Sequence, residues 1–179
     1  SIEISTFTGG RVTMLYGGES QDMAPGHLVI HWGMLPHQMI RRDGAAQVIG
    51  LHLPLTWFLQ WQMPVDLTNR LLKMELLIAP GDQFPCSDAA LLRNWKMLLQ
   101  QHPEDGRPIV LMELQARLLR FHLNDQANTI RKTIPSRTLS SRPLQRSLEM
   151  IARHFREQIR VADIAGYAGT SSRYLASFF

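Results

Sequence analysis

Apolar and polar positions alternate at the start of the chain. In Ile2-Glu-Ile-Ser the apolar residues fall at every second place, the spacing of a strand with one covered face. Arg11-Val-Thr-Met-Leu-Tyr16 is a second such run, and the Gly17-Gly18 pair after it is a hairpin signal. Pro25-Gly26 marks another turn. His27-Leu-Val-Ile-His-Trp32 is a short strand rich in β-formers, and residues 46–53 are a further one. Short strands separated by Gly and Pro turns predict an antiparallel sandwich or barrel. The character changes at Pro54. Leu55-Thr-Trp-Phe-Leu-Gln-Trp61 predicts a short helix, residues 67–72 another, and residues 74–78 a return to strand before the Pro80-Gly81 turn.

Residues 87–124 carry the longer, helical period. Ser87 is placed as an N-cap, and Leu91, Leu92, Trp95, Leu98 and Leu99 make a wide apolar face. Gln101-His-Pro-Glu-Asp-Gly106 is a turn cluster, and Pro108 suits the first turn of a second helix through Met112, Leu114, Leu118, Leu119 and Phe121. The hairpin has two readings: packing within the domain, or a dimer interface with a second copy. Residues 130–141 are polar, basic and Ser-rich, as in a linker. A further helix is predicted from Pro143 to about Glu157, with Leu144, Leu148, Ile151 and Phe155 in one stripe.

The last nineteen residues read as a helix, a tight turn and a second helix. Ala165 is small where two backbones approach. Gly169 suits a turn that needs positive φ. Ile164 and Ala168 share one face, and Tyr174, Leu175 and Phe178 give the second helix an apolar side. Ser171 or Ser172 can accept a bond from the free N–H groups at that helix's start. Charge sharpens the picture. Residues 131–179 hold nine Lys/Arg against three Asp/Glu, a net +6, whereas residues 1–130 hold ten against twelve, a net −2. Basicity confined to one end is the electrostatic footprint of a DNA-binding unit.

The remaining composition narrows little. A single cysteine, Cys86, excludes an intrachain disulfide and suits a reducing compartment. No apolar run reaches the ~20 residues of a membrane helix, and no signal peptide is visible. The expected location is cytoplasmic, without a membrane partner.

The terminal pattern resembles the first helix-turn-helix of AraC/XylS-type transcription regulators. The residues that carry it are Leu144…Ile151-Ala-Arg-His-Phe155, Ile159-x-Val161-x-Asp-Ile-Ala165 and Ala168-Gly-Thr-Ser-x-x-Tyr-Leu175-x-x-Phe-Phe179. Gly26-His-Leu-Val-Ile-His-Trp32 with Leu35-Pro-His37-Gln, and Leu53-Pro54…Phe58-Leu-x-Trp61-x-x-Pro64, resemble the cupin-like N-terminal part of the same family in its sugar-responsive, melibiose-regulator-like branch. The resemblance implies an α+β chain. Residues 1–129 are then an effector-binding and dimerisation domain, with a cupin-like antiparallel β-barrel or sandwich over about 1–80 and the helical hairpin over about 87–124. Residues 130–142 are a linker, and 143–179 the first helix-turn-helix of an incomplete, small all-α DNA-binding domain. The family carries two such units, so the chain reads as part of a longer protein.

The resemblance places the effector pocket at Thr8, His37, Met39, Gln47 and Ile49, with a sugar as the expected effector. Thr8, Gln47 and His37 can hydrogen-bond hydroxyls, and Ile49 supplies an apolar wall. Ordinary packing of the barrel interior is the competing reading of these five. DNA contact falls to Ser172, Arg173, Ala176 and Ser177, where Arg173 suits a bidentate contact to guanine. The implied partners are promoter DNA, a small molecule and a second copy of the chain. No cofactor is expected. A catalytic metal needs three or four converging ligands, and the spacing places only His37; His27 and His31 stand too far apart along one strand to share an ion. No Ser-His-Asp or paired-carboxylate site follows from local spacing, so no enzyme is expected. The alternatives are a metal-dependent cupin enzyme and a ligand-sensing dimerisation module without DNA affinity.

Overall fold

The computed structural model describes residues 1–80, 87–127, 143, 146–147, 150–151, 154 and 157–176. Among the described residues seven strands, β1 Ile2–Thr8, β2 Val12–Tyr16, β3 Glu19–Met23, β4 Leu28–Trp32, β5 His37–Arg42, β6 Gln47–Leu53 and β7 Leu77–Ala79, form two antiparallel sheets. One has the order β6-β1-β4-β7 and the other β3-β2-β5. Among the described residues these sheets are separate layers rather than a closed barrel. The expected barrel or sandwich resolves into this open two-sheet arrangement.

β1 is flanked on both edges. Glu3 stands opposite His31 of β4 and His52 of β6, and Ile4 opposite Ile30 and Leu51. Because side chains alternate, Ile2 and Ile4 go to one face and Glu3 to the other. β4 is buried at every position, the mark of a strand covered on both faces. β3 and β5 lie outside the strands expected from the sequence. Their polar composition explains the omission: Glu19-Ser-Gln-Asp-Met23 has one buried residue and His37–Arg42 has none, so neither shows an apolar period. Both are specified by pairing with β2. The strand expected at 74–78 is shifted to β7, because Met74 takes positive φ.

Helices with both ends among the described residues are α1 Leu55–Gln60, α2 Val65–Leu72, α3 Asp88–Gln101, α4 Pro103–Ala127, α5 Val161–Ala168 and α6 Ser172–Ala176. α3 and α4 form the expected hairpin, but its corner is tighter than the turn cluster suggested. Only His102 separates the two helices, and Pro103, not Pro108, opens α4. Pro is well suited to a first helical position because its missing N–H has no intrahelical partner there. Gly106 permits the sharp corner, since a Cβ there would meet Leu98 Cγ at 2.9 Å. Ser87 occupies the N-cap of α3 without a side-chain cap bond.

α3 lies against β6 and β1. Leu92, Trp95, Val110, Leu114, Leu118 and Phe121 join the sheet residues Ile2, Ile4, Ile30, Trp32 and Leu53 in one core. Two polar clamps fix the hairpin. Arg117 grips Asp88 bidentately at 2.6 and 2.9 Å, with both residues buried, and Trp95 Nε1–H donates to Glu113 at 2.6 Å. Arg70 at the end of α2 binds Glu75 at 2.8 Å and Asp125 of α4. Burial alone would lower the Arg70 pKa, but the two carboxylates outweigh it and the value is raised.

α5 and α6 meet at Gly169, whose φ of 68° is the left-handed conformation anticipated there. Asp163 accepts the Arg160 backbone N–H at 2.9 Å, and Ser171 Oγ accepts the Tyr174 N–H at 3.1 Å, capping α6. Ile164, Ala165 and Leu175 form a small separate core with Met150, Ile151 and Ile159. Tyr174 departs from its expected docking role: it is exposed, and Leu175 alone fills that place among the described residues of α6. Leu144, Leu148, Phe155, Phe178, Cys86 and the expected linker lie outside the described residues.

Removing one member of a buried ion pair costs about 3–5 kcal/mol, because the other charge loses its compensation. Asp88→Ala is expected to lose that much stability in urea denaturation. Asp88→Leu combined with Arg117→Met is expected to recover most of it.

Candidate functional site

A cavity of about 430 Å³ opens between the two sheets. Its lining includes Glu3, Ser5 and Phe7 of β1, Met14 of β2, His31 of β4, His37, Gln38 and Met39 of β5, and Val48, Gly50 and His52 of β6. The ladder explains the convergence. Glu3, His31 and His52 occupy one register row across β4, β1 and β6. Residues directly opposite in such a row have Cβ atoms about 5 Å apart on one face. His37 enters from the other sheet, at the start of β5.

The Glu3 carboxylate is therefore ringed by imidazoles. Its Oε2 lies 3.3 Å from His37 Nε2 and 3.9 Å from His31 Nε2, and its Oε1 lies 3.6 Å from His52 Nδ1. The His31 and His37 rings meet edge-on with centroids 4.6 Å apart, and Tyr16 packs edge-on against His31 at 5.2 Å. His37 Nδ1–H donates to the Leu35 carbonyl at 2.8 Å, which turns Nε2 toward Glu3. His31 is 3% exposed, and burial pushes its pKa down to about 4. His37 and His52 add to the depression, while Glu3 and the Trp32 backbone oppose it. Its Nδ1 makes no well-formed hydrogen bond. Burial, reinforced by the Glu3 charge, raises the Tyr16 hydroxyl above its ordinary range. Gly33 completes the cradle: a Cβ there would run into the Glu3 carboxylate.

A second cavity of about 450 Å³ lies on the opposite face of β6, under the α3–α4 hairpin. Ile49, Leu51, Leu53, Trp57, Leu92 and Trp95 give it apolar walls, and Lys96 and Arg107 add two cations. The first cavity offers hydrogen-bond donors and acceptors on several sides. The second offers apolar area with positive charge.

The five residues expected around an effector are divided between these places. His37 and Met39 line the inter-sheet cavity, with Met39 46% exposed. Ile49 lines the other cavity. Thr8 and Gln47 pair with each other at the far end of the β1–β6 ladder and line neither cavity. Alternation separates them: Gln47 and Ile49 share the face of β6 opposite Val48 and His52. Glu3, His31 and His52 were not singled out by spacing. The available signal was Glu3 itself, a carboxylate between two isoleucines in a strand, but its partners depend on register between distant segments. At the other end, Ser172, Arg173 and Ala176 are exposed on α6, and Ser177 lies outside the described residues. Arg146 sits over the Tyr167 ring at 5.5 Å.

No family model matches the chain. Over nearly its whole length the chain is similar to a melibiose operon regulatory protein. The relative from Escherichia coli strain K12 is 24% identical over a 186-residue alignment covering 99% of this chain and 60% of that protein, and the one from Escherichia coli O6:H1 gives the same values. The chain thus spans about three fifths of the length of these relatives. Among solved structures, apo ToxT from Vibrio cholerae strain SCE256 has a TM-score of 0.46 at 16% identity, covering 98% of this chain and 65% of that one. Unsaturated fatty acid bound wild-type ToxT has a TM-score of 0.44 at 15% identity, covering 99% and 64%. No helix among the described residues is long and apolar enough to cross a membrane.

Gly33→Ala is expected to cost about 1–3 kcal/mol, the range for overpacking, because the Glu3 carboxylate must move. Gly44→Ala, with no atom within 4 Å of the added Cβ, is the control and is expected to stay within about 0.5 kcal/mol of the parent in urea denaturation.

Proposed function

We propose that this chain holds the sensing part and a DNA-reading part of a ligand-responsive transcription regulator of AraC type. The similarity to a melibiose operon regulatory protein over 99% of the chain carries this reading. It runs through both the two-sheet region and the basic terminal helices. In this reading residues 1–129 bind effector and dimerise, residues 130–142 link, and residues 143–179 present a helix-turn-helix.

A sugar is the effector class we favour. Ser5, His37, Gln38 and His52 around the inter-sheet cavity supply donors and acceptors for hydroxyl groups, and Phe7 and Met14 supply apolar contact. A few convergent polar groups in a partly apolar pocket are the usual composition of a small-molecule site. DNA would meet the exposed side of α6, where Ser172 and Arg173 stand clear of the small core that Leu175 helps to form. Coupling between the two is a difference in effector affinity between DNA-competent and DNA-incompetent arrangements.

Dimerisation is assigned to α4. Ile109, Met112, Leu119 and Leu123 are 43%, 64%, 37% and 67% exposed. With half-buried Ala116 they recur at alternating steps of three and four, the seam of a two-stranded coiled coil. The opposite face of α4, with Val110, Leu114, Leu118 and Phe121, is consumed by the core.

Selection from a random duplex library is expected to enrich one DNA motif. Arg173→Ala is expected to weaken the enriched site by ~1–3 kcal/mol, the discrimination of one bidentate base contact, while leaving nonspecific binding nearly unchanged. Failure to enrich any motif removes the proposal. In sedimentation equilibrium the parent is expected to be a dimer, and Met112→Glu with Leu119→Glu a monomer at the same concentration; a monomeric parent removes the α4 assignment.

A further inference from the structure

We propose that Glu3, His31 and His37 form a binding site for one divalent first-row transition-metal ion, held between the two sheets. One ligand atom from each of the three lies within 4.8 Å of the other two. Ligands of a four- to six-coordinate ion at ~2.1 Å stand roughly 3.0–3.4 Å apart. Glu3 Oε2 is 3.3 Å from His37 Nε2 and 3.9 Å from His31 Nε2, so an ion needs only a small closing movement of side chains.

The polar arrangement suits a cation. His37 spends its Nδ1–H on the Leu35 carbonyl, so in the neutral ring Nε2 presents a lone pair to a carboxylate oxygen 3.3 Å away. Two acceptors at that distance repel unless something positive lies between them. A proton on His37 satisfies one pair. His31 Nε2 faces the same oxygen at 3.9 Å, beyond hydrogen-bond reach, with its ring edge-on against His37 at 4.6 Å. One ion serves all three.

The supporting residues have the form of a metal site. A ligating histidine commonly donates its other ring nitrogen to a backbone carbonyl, which fixes the tautomer, as His37 does to Leu35. His52 Nδ1 stands 3.6 Å from the second carboxylate oxygen. Gly33 leaves the space the carboxylate occupies. Two imidazoles and one carboxylate select ions such as zinc, cobalt, nickel or iron(II) over magnesium and calcium, which prefer all-oxygen sets. Three protein ligands leave further coordination positions open toward the cavity lined by Ser5 and Gln38, where water or an oxygen-bearing small molecule completes the shell. The site joins β1 and β4 of one sheet to β5 of the other, so the ion also cross-links the two layers. The ion shares His37 and the inter-sheet cavity with the proposed effector site, but its binding can be read without effector or DNA.

The test uses the whole chain purified without a histidine tag and stripped with a chelator. Calorimetric titration with zinc is expected to give one ion per chain, cobalt a ligand-field spectrum of mixed nitrogen and oxygen ligation, and both a raised Tm. Excess magnesium is expected to leave zinc binding intact. His37→Ala, at a site already 27% exposed, and the near-isosteric Glu3→Gln are each expected to weaken zinc at least tenfold while circular dichroism stays unchanged. His102→Ala, an exposed imidazole elsewhere, is the control and keeps full affinity. Absence of saturable one-to-one binding overturns the proposal. So does unchanged affinity in both His37→Ala and Glu3→Gln, which would place the bound ion elsewhere.

Discussion

Register of β1 between β4 and β6 is the constraint from which the rest follows. A slip of one residue would turn Ile2 and Ile4 toward the inter-sheet cavity and Glu3 into the apolar layer beneath the helices. That layer holds Leu92 and Leu114, which offer no partner for a carboxylate, and the Trp95 indole N–H there is already spent on Glu113. An unpaired buried charge is too costly for such a slip to persist. The in-register ladder instead puts Glu3 beside His31 and His52, with His37 facing it across the gap. Apolar packing on one face of the strand thereby sets polar chemistry on the other.

The hairpin α3–α4 depends on the same layer. Its buried face closes the sheet, and the Arg117–Asp88 pair fixes how the two helices lie against each other. Directional hydrogen bonds accomplish this better than apolar contact, which tolerates sliding. The hairpin also leaves an apolar cavity against β6, so both faces of that strand border open space. One short strand separates a polar cavity from an apolar one, because alternation sends Val48 and His52 one way and Ile49, Leu51 and Leu53 the other. A ligand in either cavity would press on the same strand, which gives the proposed regulator a physical route from pocket to hairpin.

What the sequence determined by itself is the local part. Alternation at Ile2-Glu-Ile-Ser, the turns at Gly17-Gly18 and Pro25-Gly26, the apolar faces of α3 and α4 and the positive φ at Gly169 all depend on neighbours within a few residues, where the chain's own sterics decide. The concentration of positive charge after residue 130 is likewise a property of composition. Tertiary structure decided the remainder. β3 and β5 have no apolar period and exist because β2 offers them backbone partners. Thr8 and Gln47 were drawn to one end of a ladder and Ile49 to the wrong face for a shared pocket, since register and facing cannot be read within one strand. The carboxylate–imidazole cluster joins residues 3, 31, 37 and 52: pairing between distant strands brings Glu3, His31 and His52 into one row, and packing of the second sheet brings His37 to within a few ångströms.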